Sequence, residues 1–162
     1  MRSHISKLLK VGIRPLKFLG LVFQFFTDAL TFRDFEFFRG KVGIVFQGDR
    51  LMPWRTALAN VLLGLEILDV EPKQAQAVAR GWLERLGLSG HENDYPHALS
   101  GGMRQRVSIA RAFAVEPALL LCDEPFSSLD EMTARDLRAE FVRLVRQNGK
   151  TAVFITHQIS EA

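Results

Sequence analysis

The chain has 162 residues, with 24% charged and 48% in the hydrophobic set, enough for one compact domain with its own core. That balance excludes a disordered chain, and a single cysteine, Cys122, excludes an internal disulfide and fits a reducing cytoplasm. A formal net charge of +3 is too small to point to nucleic acid by itself.

Residues 1–17 carry Arg2, Lys7, Lys10, Arg14 and Lys17 with no acid among them, and Phe18, Phe23, Phe25, Phe26, Phe32, Phe35, Phe37 and Phe38 crowd the stretch that follows. A membrane-spanning helix needs about 20 apolar residues. The run from Phe18 to Phe26 is interrupted by Gln24 and followed by Asp28, so no transmembrane segment is predicted. A basic region before an apolar one has the outline of a signal peptide, but no small-residue cleavage site follows. An amphipathic membrane-surface segment is the other reading of this stretch.

Composition breaks near Arg39-Gly40, and from there the elements are legible. Val42 to Phe46, bounded by Gly40 and Gly48, predicts a strand, and Pro53 marks a loop. Leu58, Val61, Leu62, Leu65 and Leu68 recur at helical spacing from Thr56 to about Leu68. Pro72 and Gly87 bracket a second helix, with Ala75, Val78, Ala79, Trp82, Leu83 and Leu86 as its buried face. Residues 88–98 read as a polar loop. Ser100 is placed to cap a helix running to about Val115 and ended by Pro117. Ala118 to Cys122 is an unbroken apolar run, as expected of a parallel strand buried on both faces. Asp130 to Gln147 predicts an amphipathic helix with Leu137, Phe141, Leu144 and Val145 on one face, stopped by Asn148-Gly149. Thr151 to Thr156 predicts another buried strand. Alternating helices and strands imply an α/β fold with a parallel sheet.

Several short runs carry chemistry. Asp123-Glu124 closes the apolar strand, at the carboxyl end where open α/β sheets bind ligands. An Asp there can hold magnesium and a neighbouring Glu can act on water as a general base. Taken alone, the pair reads first as the start of a solvated turn before Pro125. Ser100-Gly101-Gly102 opens a helix, where free amides and the helix dipole attract anions and glycines admit a ligand closely. The plain alternative is a capped, flexible helix entry. His157, after the last strand, is placed to donate to a phosphate, although a lone strand-end histidine is more often structural. Gln47, after the first strand, is placed to orient water or magnesium. His91, Glu92, Asp94 and His97 match no metal-ligand spacing and read as a solvated loop. Cys122, within a strand, reads as a small apolar residue.

Val45-Phe46-Gln47, Leu99-Ser100-Gly101-Gly102-Met103-Arg104-Gln105-Arg106, Leu119 to Glu124, Ser127-Ser128-Leu129-Asp130 and Thr156-His157 follow one another in order. Together they closely resemble the nucleotide-binding subunit of ABC transporters over residues 40–162, as its Q-loop, signature, Walker B, D-loop and H-loop. The resemblance implies an ATPase using ATP and Mg2+ on an incomplete P-loop NTPase-type parallel sheet, with a helical subdomain inserted at about residues 48–115. It implies Glu124 as general base, with Asp123 and Gln47 at the magnesium and His157 at the γ-phosphate. Gln47 would also couple the site to the transport partner. Ser100, Gly101, Gly102 and Met103 would cap ATP held by an opposite subunit, and Asp130 would lie at the dimer contact. Met103 stands where the wider family more often has Gln.

The implied partners are a second ATPase subunit, the same or different, a transmembrane permease docking on the helical subdomain and, indirectly, a solute-binding protein, with no nucleic acid. The implied place is the cytoplasmic face of the inner or plasma membrane, held peripherally. Leu51-Met52-Pro53-Trp54 with Glu124 to Asp130 is most similar to importers of nitrate, sulfonates and taurine.

The family's phosphate-binding loop, Gly-x-x-x-x-Gly-Lys-Ser/Thr, has no counterpart. Gly40-Lys41 fails because position 35 is Phe and position 42 is Val, and because it lies too close to Gln47. The chain therefore reads as a fragment truncated at both ends. Residues 1–39 read as a divergent start, an out-of-frame translation or a misplaced start codon, the last two favoured by the composition break. Two functions follow: an energy-coupling importer ATPase, or an inactive remnant or partner that lends only its signature in trans. A third, a membrane-surface or nucleic-acid binder built on the basic start, has no support after residue 40. A sheet without its phosphate-loop strand is expected to leave an apolar edge and a chain of low stability.

Overall fold

The computed structural model describes residues 39–155. The basic, Phe-rich start and the terminal stretch containing Thr156, His157 and Ser160-Glu161-Ala162 lie outside the described residues. In chain order the elements are β1 (Val42–Val45), α1 (Ala57–Ile67), α2 (Pro72–Arg85), a 3-10 turn (Pro96–Ala98), α3 (Gly101–Ala114), β2 (Leu119–Asp123), α4 (Glu131–Gln147) and β3 (Thr151–Ile155).

Each of these helices starts at a side-chain cap that satisfies an amide otherwise left without a partner. Thr56 accepts from the Ala59 amide, Glu71 from Gln74, Ser100 from Met103 and Asp130 from Thr133. Ser100 was expected in this role. Glu71 was not, because glutamate is a less usual cap, but Pro72 in the first turn fixes the backbone for it. The predicted stops act as expected, with Gly87 at φ 69° and Gly149 at φ 60°, a region that costs other residues energy. The polar loop 88–98 supports α1. Its Asp94 and Glu92 carbonyls accept the Ala57 and Leu58 amides at 2.8 and 2.9 Å, closing the start of α1.

The sheet has the order β1-β2-β3 among the described residues. β1 and β2 run parallel in a register from Val42 opposite Leu119 to Val45 opposite Cys122. Their carboxyl ends therefore finish side by side, which brings Gln47 near Glu124. Helix α3 is the central helical element, packing on α1, α2, α4 and β1. It buries Val107, Ile109, Ala110 and Phe113. Trp82 of α2 packs on Phe113 at 4.9 Å between ring centroids, and Phe113 meets Phe141 of α4 edge-on at 5.6 Å. Phe141 also meets Phe126 at 6.1 Å and Phe154 of β3 at 5.4 Å. Each such fully buried side chain contributes roughly 1.5–3 kcal/mol of transfer free energy, so this aromatic chain joins the helices to the sheet.

The predicted helix faces are the buried ones, with Val78, Leu62 and Val145 only partly covered, and so is Leu68, which caps the end of α1 rather than lying within it. The strands differ from expectation. Leu120 and Cys122 are buried, but Leu119 and Leu121 are half-buried, and so are residues 152–155 of β3. On β1, Ile44 remains 44% exposed, and Phe46 just beyond it 40%. Helix α3 packs on β1, and buried Val45, Leu120 and Cys122 alternate with the more exposed Ile44, Leu119 and Leu121, so one side of each strand is covered more fully than the other. The apolar run matched a two-faced burial that the described residues supply fully on one face only.

Candidate nucleotide site

Two groups of residues form the candidate site. At the carboxyl end of β2, Asp123 is the last strand residue and Glu124 begins the turn. Glu124 has left-handed backbone, φ 42°, a conformation that costs about 1–3 kcal/mol for a residue with a Cβ. The Ser127 amide and hydroxyl both donate to its carbonyl, at 3.2 and 3.0 Å, and hold the turn. Phe126, fully buried against Phe141 and Phe154, anchors it from below. Gln47 Nε2 donates to Glu124 Oε2 at 3.1 Å across 77 residues of sequence. Partial burial, and then the charge of Glu124, push the Asp123 carboxyl above its ordinary range. Two adjacent carboxylates and an amide oxygen are hard oxygen donors of the kind magnesium takes. Their mutual repulsion is what a divalent cation relieves, so the donor set fits it.

The second group is the start of α3. Ser100 has extended backbone, and its hydroxyl accepts the Met103 amide at 3.2 Å. Gly101 and Gly102 form the first turn. A Cβ on Gly102 would lie 2.9 Å from Thr133 Cγ2, so the packing of α3 against α4 favours glycine here. Asp130, expected at a dimer contact, caps α4: the Thr133 amide donates to its Oδ1 at 3.0 Å, and the Thr133 amide and hydroxyl hold its carboxyl below the ordinary range. Thus Gly102, Thr133 and Asp130 form one packed junction between the starts of α3 and α4.

The remaining candidates resolve differently. His157 lies outside the described residues. His91 Nδ1 pairs with Asp94 Oδ2 at 2.7 Å within the loop that closes α1. Cys122 is buried, and desolvation pushes its thiol up to about 12, which leaves no thiolate for chemistry.

Two features escaped the sequence reading. Asn60 is fully buried and accepts the Met52 amide at 2.7 Å while donating to the Met52, Arg55 and Thr56 carbonyls. It clamps a loop that leaves Trp54 73% exposed. Asp49, two residues after Gln47, pairs with Arg104 of α3 at 2.9 Å, and Arg111 donates to the Asp49 and Arg50 carbonyls. A polar residue on the apolar stripe of α1 was the available signal for Asn60. The Asp49–Arg104 pair spans 55 residues and had none.

The ABC transporter family model matches residues 20–127, two thirds of the chain. The chain belongs to the ABC transporter family. The match begins within the segment before Arg39-Gly40, so the family likeness extends into the Phe-rich stretch. Among curated relatives of this family, the chain is 44% identical over 120 residues to the uncharacterized ABC transporter ATP-binding protein MJ0412 of Methanocaldococcus jannaschii, covering 74% of this chain and 45% of that protein. It is 46% identical over 120 residues to the taurine import ATP-binding protein TauB of Yersinia pestis, covering 74% and 47%. TauB of Escherichia coli strain K12 is 45% identical with the same coverage. The chain thus spans about half the length of the curated relatives it matches. Among solved structures, the ATP-binding cassette MJ0796, a dimer in a post-hydrolysis state bound to ADP and Pi, superposes with a TM-score of 0.66 at 38% identity, covering 76% of this chain and 55% of that one. The fold is the α/β, P-loop NTPase-type fold of ABC ATPases.

Proposed function

We propose that this chain is the signature-bearing and water-activating portion of an ABC importer ATPase that couples ATP hydrolysis to uptake of a small solute of the nitrate, sulfonate or taurine class. The observation that carries this reading is the contact between Gln47 and Glu124 at the paired carboxyl ends of β1 and β2. Glu124 is the general base, and Gln47 holds its carboxylate toward the strand ends where water would be placed. Asp123 and Gln47 are the magnesium ligands; the ion, when bound, neutralises charge developing on the phosphates. His157, which follows β3 in sequence, is the γ-phosphate contact in this reading. Ser100, Gly101, Gly102 and Met103 present the start of α3 to ATP on an opposite subunit, and Asp130 lies beside them at the dimer contact. The solute class is supported by the TauB likeness.

The partners in this reading are a second ATPase subunit, the transmembrane permease and, through it, a solute-binding protein, with the chain peripheral on the cytoplasmic face of the membrane. Exposed Trp54, on the loop clamped by Asn60, is the proposed landing point of the permease on the helical subdomain, residues 48–115. Among the described residues no helix is long and apolar enough to cross a membrane.

A second reading has its own observation: no Gly-x-x-x-x-Gly-Lys-Ser/Thr run occurs in these 162 residues. In that case the chain lends only its signature in trans. Mixing the chain with a complete family ATPase whose own signature is disabled distinguishes the two. Turnover that is restored and lost again with Ser100→Arg, but indifferent to Glu124→Gln, supports the in-trans reading. Turnover that falls with Glu124→Gln supports the first.

A further inference from the structure

From the bonds of a single guanidinium we infer that Arg104 is a positioning residue that locks the Gln47 loop to the signature, so that neither moves without the other. Arg104 Nε donates to Asp49 Oδ2 at 2.9 Å, and its Nη1 donates to the Leu99 carbonyl at 2.7 Å. Asp49 lies two residues after Gln47, and Leu99 immediately precedes the Ser100 cap. One planar, always-charged fork therefore spans both functional segments. Arg104 and Asp49 are each about two-thirds buried, so solvent competes only in part.

The loop side of this lock is itself rigid. Asp49 Oδ1 accepts the Leu51 amide at 3.1 Å, forming a small side-chain turn. Arg111, two helical turns further along α3, donates to the Asp49 carbonyl at 2.9 Å and the Arg50 carbonyl at 2.8 Å. Arg50 has left-handed backbone, φ 47°, a strained conformation that this second arginine holds in place. The signature side is equally tied, because the Leu99 amide donates to the Pro96 carbonyl and Ser100 caps the helix. A displacement of the Gln47 loop thus pulls on Arg104, and through it on the residue before Ser100. The purpose of this lock, matching water activation on one subunit to ATP capping on the other, rests on the proposed function. The lock itself does not.

Site-resolved amide hydrogen exchange on the full chain, without nucleotide, tests it. The Leu51 amide reports the loop, the Met103 amide reports the signature cap, and the Leu144 amide in α4 reports global opening. Arg104→Gln is expected to speed exchange at both Leu51 and Met103 by at least about tenfold, the scale of one lost charge-assisted bond, with Leu144 unchanged. Asp49→Asn keeps an oxygen for the Leu51 amide and is a mild change that carries the test if Arg104→Gln does not fold. It is expected to speed Met103, far away in sequence, by a comparable factor. Arg104→Lys offers a point charge in place of a fork and is expected to restore at most one of the two segments. The inference is overturned if Asp49→Asn leaves Met103 unmoved, if Arg104→Lys protects both segments as well as arginine does, or if Leu144 accelerates as much as the reporters. No ATPase activity enters these readouts, so failure of the proposed function and failure of the lock are seen separately.

Discussion

At the end of β2 the chemistry lies in side chains: Gln47, Asp123 and Glu124 touch or repel one another, and the turn beneath them stands on Phe126 and Phe141. At the start of α3 it lies in the backbone, with Ser100 as cap and Gly102 where a side chain would crowd Thr133. The first region depends on an aromatic core and on the balance of charge. The second depends on helix-end geometry and on the fit of Gly102 against Thr133. Substitutions should therefore fail differently in the two places.

The largest stability effect is expected from Phe141→Ala, which removes the ring joining Phe113, Phe126 and Phe154. A loss of about 3–5 kcal/mol is expected in denaturant unfolding. A loss under about 1 kcal/mol would mean that the strand-end region does not stand on this cluster. Gly102→Ala should cost about 1–3 kcal/mol by crowding Thr133 Cγ2, and the added change Thr133→Ser, which deletes that methyl, should recover most of it. Absence of recovery would mean that the contact with Thr133 does not set the cost. Ser100→Ala should cost about 1 kcal/mol through the lost cap.

The smallest effect is the most telling about charge. The Asp123 carboxyl is raised in the folded chain by burial and by Glu124, so the folded state binds this proton more tightly than the unfolded state. Its contribution favours folding in acid and is lost as pH rises from the ordinary aspartate value through the raised one. Asp123→Asn should then melt above the parent at neutral pH, with the gain disappearing in acid. A variant that melts lower at neutral pH would show that the carboxylate stabilises the fold, contrary to a site strained for cation binding.

The elements themselves were legible because their punctuation is local: Pro72, Gly87, Ser100 and Asn148-Gly149 each act within one turn of chain. The motif residues Gln47 and Glu124 were legible as a pair only through their order in the family pattern, since nothing local links them. The half-covered strands were not legible, because Leu119–Cys122 is apolar whether or not both faces are covered. Nor was the junction of Gly102, Thr133 and Asp130, or the Asp49–Arg104 lock, since both arise from helix packing between segments far apart in sequence. Side-chain chemistry could be read in order along the chain, whereas the supports that aim it could not.

The proposed function has Gln47, Asp123 and Glu124 acting on ATP only within an assembled site, because no Gly-x-x-x-x-Gly-Lys-Ser/Thr run occurs in the 162 residues. Equilibrium ATP binding and turnover by the purified 162-residue chain, with and without Mg2+, test it most directly. Weak or absent binding and no turnover are expected for the chain alone. Micromolar affinity with turnover that Glu124→Gln abolishes would contradict it.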